Sequence, residues 1–382
     1  MDTFVLANAD VVLADRVIAR GWVAVSDGRI IEVGEGSPPE RGIDLSGSLL
    51  VPGLVELHTD HLEAHFLPRP KVTWDALAAV VAYDAQLAAC GITTVLDSLR
   101  VWREESLGGD ADGHAELLAD AIGKARDADM LRAHHFLHLR CEVPTGTVVE
   151  DAAVLLPRPD VRLLSLMDHS PGQRQFRDED KLRTYYRGKA GGMSDAELDR
   201  LFAHRKAQSE RYAIVNRERL VKLAQSHGVT LASHDDTTAE HVAEAMRDGV
   251  AVAEFPTTVE AAAALHKAGV KVMMGAPNVV RGGSHSGNVA ALDLAASGVL
   301  DILSSDYVPA SLLMAALQLP EALPGIDLAA ALRTVTKTPA EAVGLTDRGE
   351  IAPGKRADLV RVDVRLGVPV VRTVWRDGRR VL

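Results

Sequence analysis

Five segments of this 382-residue chain end in side chains that bind metals or move protons. Glu56, His58 and Asp60 alternate in the first, and His138, Arg140 and Glu142 in the next. His169 follows Ser165 and Met167, His234 follows Thr230 and Ala232, and Asp306 follows Ile302 and Ser304. A spacing of two puts side chains on one face of a β-strand. Imidazoles and carboxylates gathered on one rim repel and lose hydration unless something compensates them. One divalent cation, or a pair, would do so, and neutral imidazole with carboxylate suits Zn²⁺, Mn²⁺ or Fe²⁺ better than Ca²⁺ or Cu⁺. A lone buried histidine is more often a hydrogen-bonded core residue, so the convergence of five strands matters more than any single residue.

That convergence requires strands whose C-terminal ends share a rim. Apolar, β-rich stretches recur at 54–60, 93–98, 136–142, 163–169, 229–234, 250–255, 270–276 and 302–306. Helical stretches at 75–90, 114–128, 239–247, 260–267 and 289–297 separate most of them. Strands alternating with helices in this way predict an α/β protein, a TIM-like (β/α)8 barrel with its site at the strand C-termini. A doubly wound open sheet usually has fewer strands and often a Gly-rich first turn, which is missing here. His134 and His135 would start their strand at the opposite end and are expected to be structural. Both chain ends read as short strands, with Asp27-Gly28 and Asp377-Gly378 as hairpin signals. Neither end suffices for a stable sheet alone. Residues 1–53 and 344–382 are therefore expected to form one small composite β domain, with the barrel at 54–343.

Composition narrows the functional classes. The chain is 47% hydrophobic and 25% charged, with a formal net charge of −11. That acidity disfavours general binding to nucleic acid or acidic lipid. Two cysteines, Cys90 and Cys141, suit a reducing compartment. No apolar run approaches the roughly 20 residues of a membrane span, and residues 1–10 lack a signal-peptide core. The expectation is a cytoplasmic enzyme acting on a small molecule, with self-association left open.

Two further segments bear on the substrate. The connection 170–228 far exceeds ordinary barrel loops and carries Arg174, Arg177, Lys181, Arg183, Arg187 and Lys189 before a helical run at 195–226. It is expected to be an insertion gripping substrate over the site. After the seventh strand, residues 278–288 (NVVRGGSHSGN) combine small residues, hydroxyls, Arg281 and His285 ahead of a helix. Such a loop could cradle phosphate, in a position where barrels often bind it.

The run VPGLVELHTD at 51–60 resembles the opening strand of the amidohydrolase superfamily, and GEIAPGKRADLVRV at 349–362 resembles its C-terminal return. More narrowly, HTDHLEAHFLPRP at 58–70, HLRCEVP at 138–144, SLMDHSPGQRQF at 165–176, ASHDD at 232–236, AEFPTT at 253–258, MGAPNVVRGGSHSGN at 274–288 and DILSSDYVP at 301–309 resemble the PhnM family of phosphonate-pathway diphosphatases. The resemblance implies hydrolysis of α-D-ribose 1-methylphosphonate 5-triphosphate to the 5-phosphate and diphosphate. It implies a centre of two divalent ions, Zn²⁺ first, with Mn²⁺ or Fe²⁺ as alternatives. His58 and Asp60 would bind one ion, Glu142 would bridge, and His169 and His234 would hold the other. Asp306 would contact metal and act as general base. His61 and Glu254 are reserve candidates. Arg69, Arg174, Arg177, Lys189, Asn278, Arg281, Ser284 and His285 are expected to meet the phosphorylated sugar. The runner-up is an amidohydrolase cleaving a C–N bond, an amidase or deaminase.

Overall fold

The computed structural model describes residues 3–38, 41–70, 72–102, 114–176, 180, 182–183, 187, 194–284 and 287–382. Its two ends build one sheet. Strands β1 (Phe4–Val12), β2 (Val17–Ser26), β3 (Arg29–Glu35), β4 (Ile43–Asp44) and β5 (Leu49–Pro52) come from the start of the chain. The end contributes β14 (Leu359–Arg365), β15 (Val368–Arg376) and β16 (Arg379–Arg380). The order is β16-β15-β14-β5-β1-β2-β3, with β4 beside β1, so the ends meet where β5 runs antiparallel to β14. Alternate apolar residues such as Leu6, Val23, Ile30, Leu50, Leu359 and Trp375 fill its core. Asp27-Gly28 and Asp377-Gly378 both take positive φ, the conformation of a type I′ hairpin turn. These turns abut: a Cβ on Gly28 would lie 2.8 Å from the Asp377 carbonyl oxygen.

The middle forms the barrel. Strands β6 (Leu54–Thr59), β7 (Ile92–Val101), β8 (His134–Glu142), β9 (Val161–Met167), β10 (Thr230–His234), β11 (Val252–Glu254), β12 (Lys271–Gly275) and β13 (Ile302–Ser304) pair in sequence order, all parallel. At the rim the Asp306 amide donates to the His58 carbonyl at 3.1 Å and closes the ring. At the other end Thr334 and Val335 stand between the first and last strands, their carbonyls accepting from Leu303 and Val55 at 2.9 Å each. Inside, Leu57, Leu96, Leu163, Ala232, Val252, Met273 and Ile302 form an apolar layer, plugged from below by Ala340, Val343 and Leu345. Outside, the strands' other faces pack on helices such as Ala76–Ala89, Ala115–Asp127 and Val259–Lys267.

The long connection differs from a simple insertion. Helix Asp195–Ser226 starts at a capping box between Ser194 and Glu197. Its second half buries Asn216, Arg217, Leu220, Val221 and Ala224, a spacing of one helical face, and serves as the barrel's own helix between β9 and β10. Only its first half projects, where Leu198, Leu201 and Phe202 pack on Leu182 as a separate cluster. Among the described residues, no helix is long and apolar enough to cross a membrane.

Candidate metal centre and active site

Directly above the apolar layer lies a polar one, reached on five of the strands by adding two to the position. Leu96 leads to Ser98, Phe136 to His138, Leu163 to Ser165, Ala232 to His234 and Val252 to Glu254. Glu254 is the hub. Its Oε1 lies 3.0 Å from His58 Nδ1; its Oε2 lies 2.9 Å from His234 Nδ1 and accepts from Ser165 Oγ at 2.7 Å. Burial would raise this carboxyl's pKa, but His58, then His138 and the hydrogen bonds, hold it well below the usual range. Burial first, with His58 and Arg140 adding to it and Glu254 opposing, pushes His138 down to about 3.

A carboxylate on Nδ1 fixes a histidine's tautomer and leaves Nε2 as the ligating nitrogen. His169 repeats the arrangement: its Nδ1 meets Glu142 Oε2 and its amide donates to Glu142 Oε1, both at 2.7 Å. Against its burial, this contact with His169 brings Glu142 down to about 2. Nε2 of His169 and of His234 then converge on Asp235 Oδ2, at 3.7 and 3.5 Å. Two groups thus bring donor atoms within 4.8 Å of one another: His58, His138 and Glu254, and His169, His234 and Asp235. Asp235 Oδ2 is buried and accepts no hydrogen bond from any described residue. An unsatisfied carboxylate oxygen facing two imidazole nitrogens fits a divalent cation of the zinc, manganese or iron type.

Backbone turns aim the acids. Asp235, Phe255 and Asp306, just beyond β10, β11 and β13, have φ of +55°, +54° and +53°. Aspartate tolerates this left-handed region; phenylalanine there is strained, as residues at functional rims often are. The Asp306 carboxylate stands beside the end of β12: its Oδ2 lies 3.8 Å from where a Cβ on Gly275 would sit, an ordinary contact distance. Burial raises the Asp306 pKa; His58 opposes this and the neighbouring Asp60 reinforces it.

Several expected residues stand elsewhere. Asp60 does not join His58: the β6–β7 register shifts between Glu56 and Thr59, and Asp60 lies past the strand as N-cap of helix His61–Phe66. Its Oδ2 faces Arg140 Nη1 at 3.4 Å and Arg100 Nη2 at 3.8 Å. Despite burial, these two guanidinium groups keep its pKa low. Glu142 is engaged with His169 and is a member of neither donor group. Arg174 is buried, donating to the His234 carbonyl at 3.0 Å, Asp236 at 2.6 Å and Glu244 at 2.7 Å, and so fastens the end of β10 instead of reaching for substrate. Asn278 accepts from the Ala291 amide at 3.0 Å. Residues 276–281 are helical (Ala276–Arg281, with Pro277 in the first turn and Gly282 as left-handed cap), so the phosphate-cradle loop is shorter than expected. Arg281 and Arg69 are exposed and Ser284 half-buried. Arg183 and Arg187 pair with Asp199 and Asp195. Arg177, Lys181, Lys189 and His285 lie outside the described residues. Alternation could not reveal Asp235, which is out of phase with His234 and enters only through its turn. Arg140 was visible as an inward residue between His138 and Glu142, but not as a member of the site.

Comparison with known proteins agrees with this architecture. The model of the amidohydrolase family matches residues 190–381. The chain is 46% identical over 379 residues to the α-D-ribose 1-methylphosphonate 5-triphosphate diphosphatase of Escherichia coli (strain K12), covering 99% of this chain and 100% of that one. Among solved structures, N-isopropylammelide isopropylaminohydrolase from Burkholderia multivorans superposes with a TM-score of 0.65 at 19% identity, covering 100% of this chain and 98% of that one. N-acetyl-D-glucosamine-6-phosphate deacetylase from Mycobacterium smegmatis gives 0.64 at 19% identity, over 99% and 100%. These two likenesses establish the fold alone. The chain belongs to the amidohydrolase family, in the branch that holds the Escherichia coli diphosphatase.

Proposed function

We propose that this protein hydrolyses α-D-ribose 1-methylphosphonate 5-triphosphate to the 5-phosphate and diphosphate. The observation that carries this is the 46% identity to the Escherichia coli diphosphatase, sustained over 99% of the chain. Cleavage of a C–N bond is not favoured: the match to the D-hydantoinase of Ralstonia pickettii, 30% identical, spans only 42% of this chain.

A divalent cation at the rim, Zn²⁺ in the first instance, would polarise a phosphoryl oxygen and acidify an attacking water. His169, His234 and Asp235 are the residues that would hold it, with Glu142 and Glu254 orienting the rings. Asp306 accepts the water's proton; it is kept beside His58 by the backbone bond that closes the barrel. Its raised pKa makes it a better base than an exposed aspartate. The departing diphosphate carries several negative charges and needs fixed cations. Arg281 and Arg69, both exposed, would bind that end of the substrate. Unpaired Cys90 and Cys141 fit a cytoplasmic setting.

Turnover in ¹⁸O-water, followed by phosphorus NMR, tests this. Label in the sugar 5-phosphate is expected, since attack falls on the α-phosphorus. Label confined to diphosphate would overturn the mechanism, and ammonia release from an amide or aminated ring without diphosphate release would overturn the substrate class.

A further inference from the structure

The two donor groups at the rim are not equivalent. In the first, both ring nitrogens of His138 are engaged: Nε2 with Ser165 Oγ at 2.5 Å and Nδ1 with the Leu57 carbonyl at 2.9 Å. Both oxygens of Glu254 and Nδ1 of His58 are engaged as well. A cation bound through His138 or Glu254 would have to break bonds that orient His58 and His234, so of this group only His58 Nε2 is left to ligate without such a loss. In the second group, Asp235 Oδ2 has no hydrogen-bond donor among the described residues, although Asp235 is only 3% exposed.

Arg140 is underpartnered in the complementary sense. It projects inward from β8 two residues beyond His138, with its side chain 11% exposed. Its Nη1 bond to Asp60 is long, at 3.4 Å, and its Nε is buried without a partner among the described residues. A guanidinium offers five N–H donors, and one so placed has donors left for an anion. The carboxylates whose fields act on it are Asp60, Glu63, Glu254 and Asp306, two of which border the metal groups.

We propose that this centre holds one divalent cation, on Asp235 Oδ2 with His169 Nε2 and His234 Nε2, and that the Arg140 guanidinium supplies the second positive charge. The first part concerns this chain's own ligands; the second rests on the phosphoryl-transfer reaction proposed above. Asp60, paired with Arg140 and Arg100, is then a positioning residue for the guanidinium and not a ligand. Arg140 would offer its unpartnered donors to a phosphoryl oxygen.

The test is metal stoichiometry by mass spectrometry on the full chain, with Co²⁺ titration of chelator-stripped protein followed by visible absorption. One equivalent is expected, saturating at a ratio of one. Asp235→Asn is expected to weaken Co²⁺ binding at least a hundredfold and change the absorption band. Arg140→Met should keep one equivalent and an unchanged band while diphosphate release falls about 10²–10³-fold, the scale for losing a fixed donor to a developing charge. Arg140→Lys should recover part of that loss. Two equivalents in the wild type, or an Asp235→Asn variant with wild-type affinity and spectrum, would overturn the single site. Wild-type turnover in Arg140→Met would overturn the role of the guanidinium. The wild-type stoichiometry needs no variant to fold and no substrate. A chain that binds one Co²⁺ yet releases no diphosphate therefore refutes the proposed reaction and leaves the single site standing.

Discussion

His135 and His138 lie on opposite faces of β8, and each joins a cluster of buried histidine and carboxylate. On the outer face, His135 Nδ1 meets Asp97 at 2.8 Å and Nε2 meets Asp84 at 3.2 Å. Asp84 also accepts from the Arg132 and Ala133 amides at 2.9 Å each and from Arg132 Nη1 at 3.1 Å. On the inner face, Asp235 Oδ2 and Arg140 Nε are buried without partners among the described residues. Residue types are nearly the same in the two clusters, and pairing is incomplete in both: outside, Asp97 Oδ1 and the Tyr83 hydroxyl also lack partners among the described residues. The outer orphans are an acceptor and a donor that act on each other, whereas the inner ones are open valences of opposite charge on a carboxylate and a guanidinium, which mark a place for something else to enter.

Removing the proposed general base should break this contrast most sharply. Asp306→Asn is expected to lower diphosphate release about a thousandfold, within the range for general-base catalysis, while metal content stays at the wild-type level. Equal loss of both would make Asp306 a ligand first. Next in size is Arg174→Ala, which strips a buried guanidinium from Asp236 and Glu244. Breaking one side of such a pair costs about 3–5 kcal/mol. The urea midpoint should fall accordingly, while turnover per folded molecule changes far less than in Asp306→Asn. A stability unchanged within error would show that Arg174 is not a fastening.

Much of this is legible in the residues alone. Alternation of apolar and polar residues along 136–142, 163–169 and 230–234 identifies His138, His169 and His234 as inward, because a parallel barrel strand has only two faces. The same rule fails at Asp60 and Asp235. A register shift ahead of Asp60 and a left-handed turn at Asp235 override alternation, and neither has an unambiguous signature in residue types. Arg174 escapes for another reason. Its partners Asp236 and Glu244 lie 62 and 70 positions away, so no local pattern could show that its charge was already matched.

The outer cluster also predicts a pH dependence. Although burial opposes it, Asp97 and Asp84 raise His135 to about 9, against an ordinary value of 6.5. A raised folded-state value means the protonated ring stabilises the fold. That contribution is complete below about pH 6.5 and is lost as pH rises through about 9. Its full size is roughly 3 kcal/mol, since each pH unit separating the folded and unfolded values is worth about 1.4 kcal/mol. Urea denaturation from pH 6 to 10 should show a steeper alkaline loss in wild type than in His135→Gln. Parallel profiles would mean that the His135 ring is not held protonated in the folded state.

The smallest expected effect probes the exposed end of the site. Arg281 closes the helix Ala276–Arg281, whose N-cap Gly275 borders Asp306, and its side chain is open to solvent. A solvated cation there attracts the triphosphate equally in the ground and transition states, so its loss removes binding that is uniform along the reaction. Arg281→Ala should raise KM about tenfold, or about 1.4 kcal/mol, and leave kcat within about twofold. Steady-state diphosphate release at two salt concentrations separates this residue from Arg140. The KM effect at Arg281 should shrink as salt screens the exposed charge, while the kcat loss in Arg140→Met should persist because that site is buried. A large fall in kcat with KM unchanged would place Arg281 against the reacting phosphorus and erase the distinction between rim and floor.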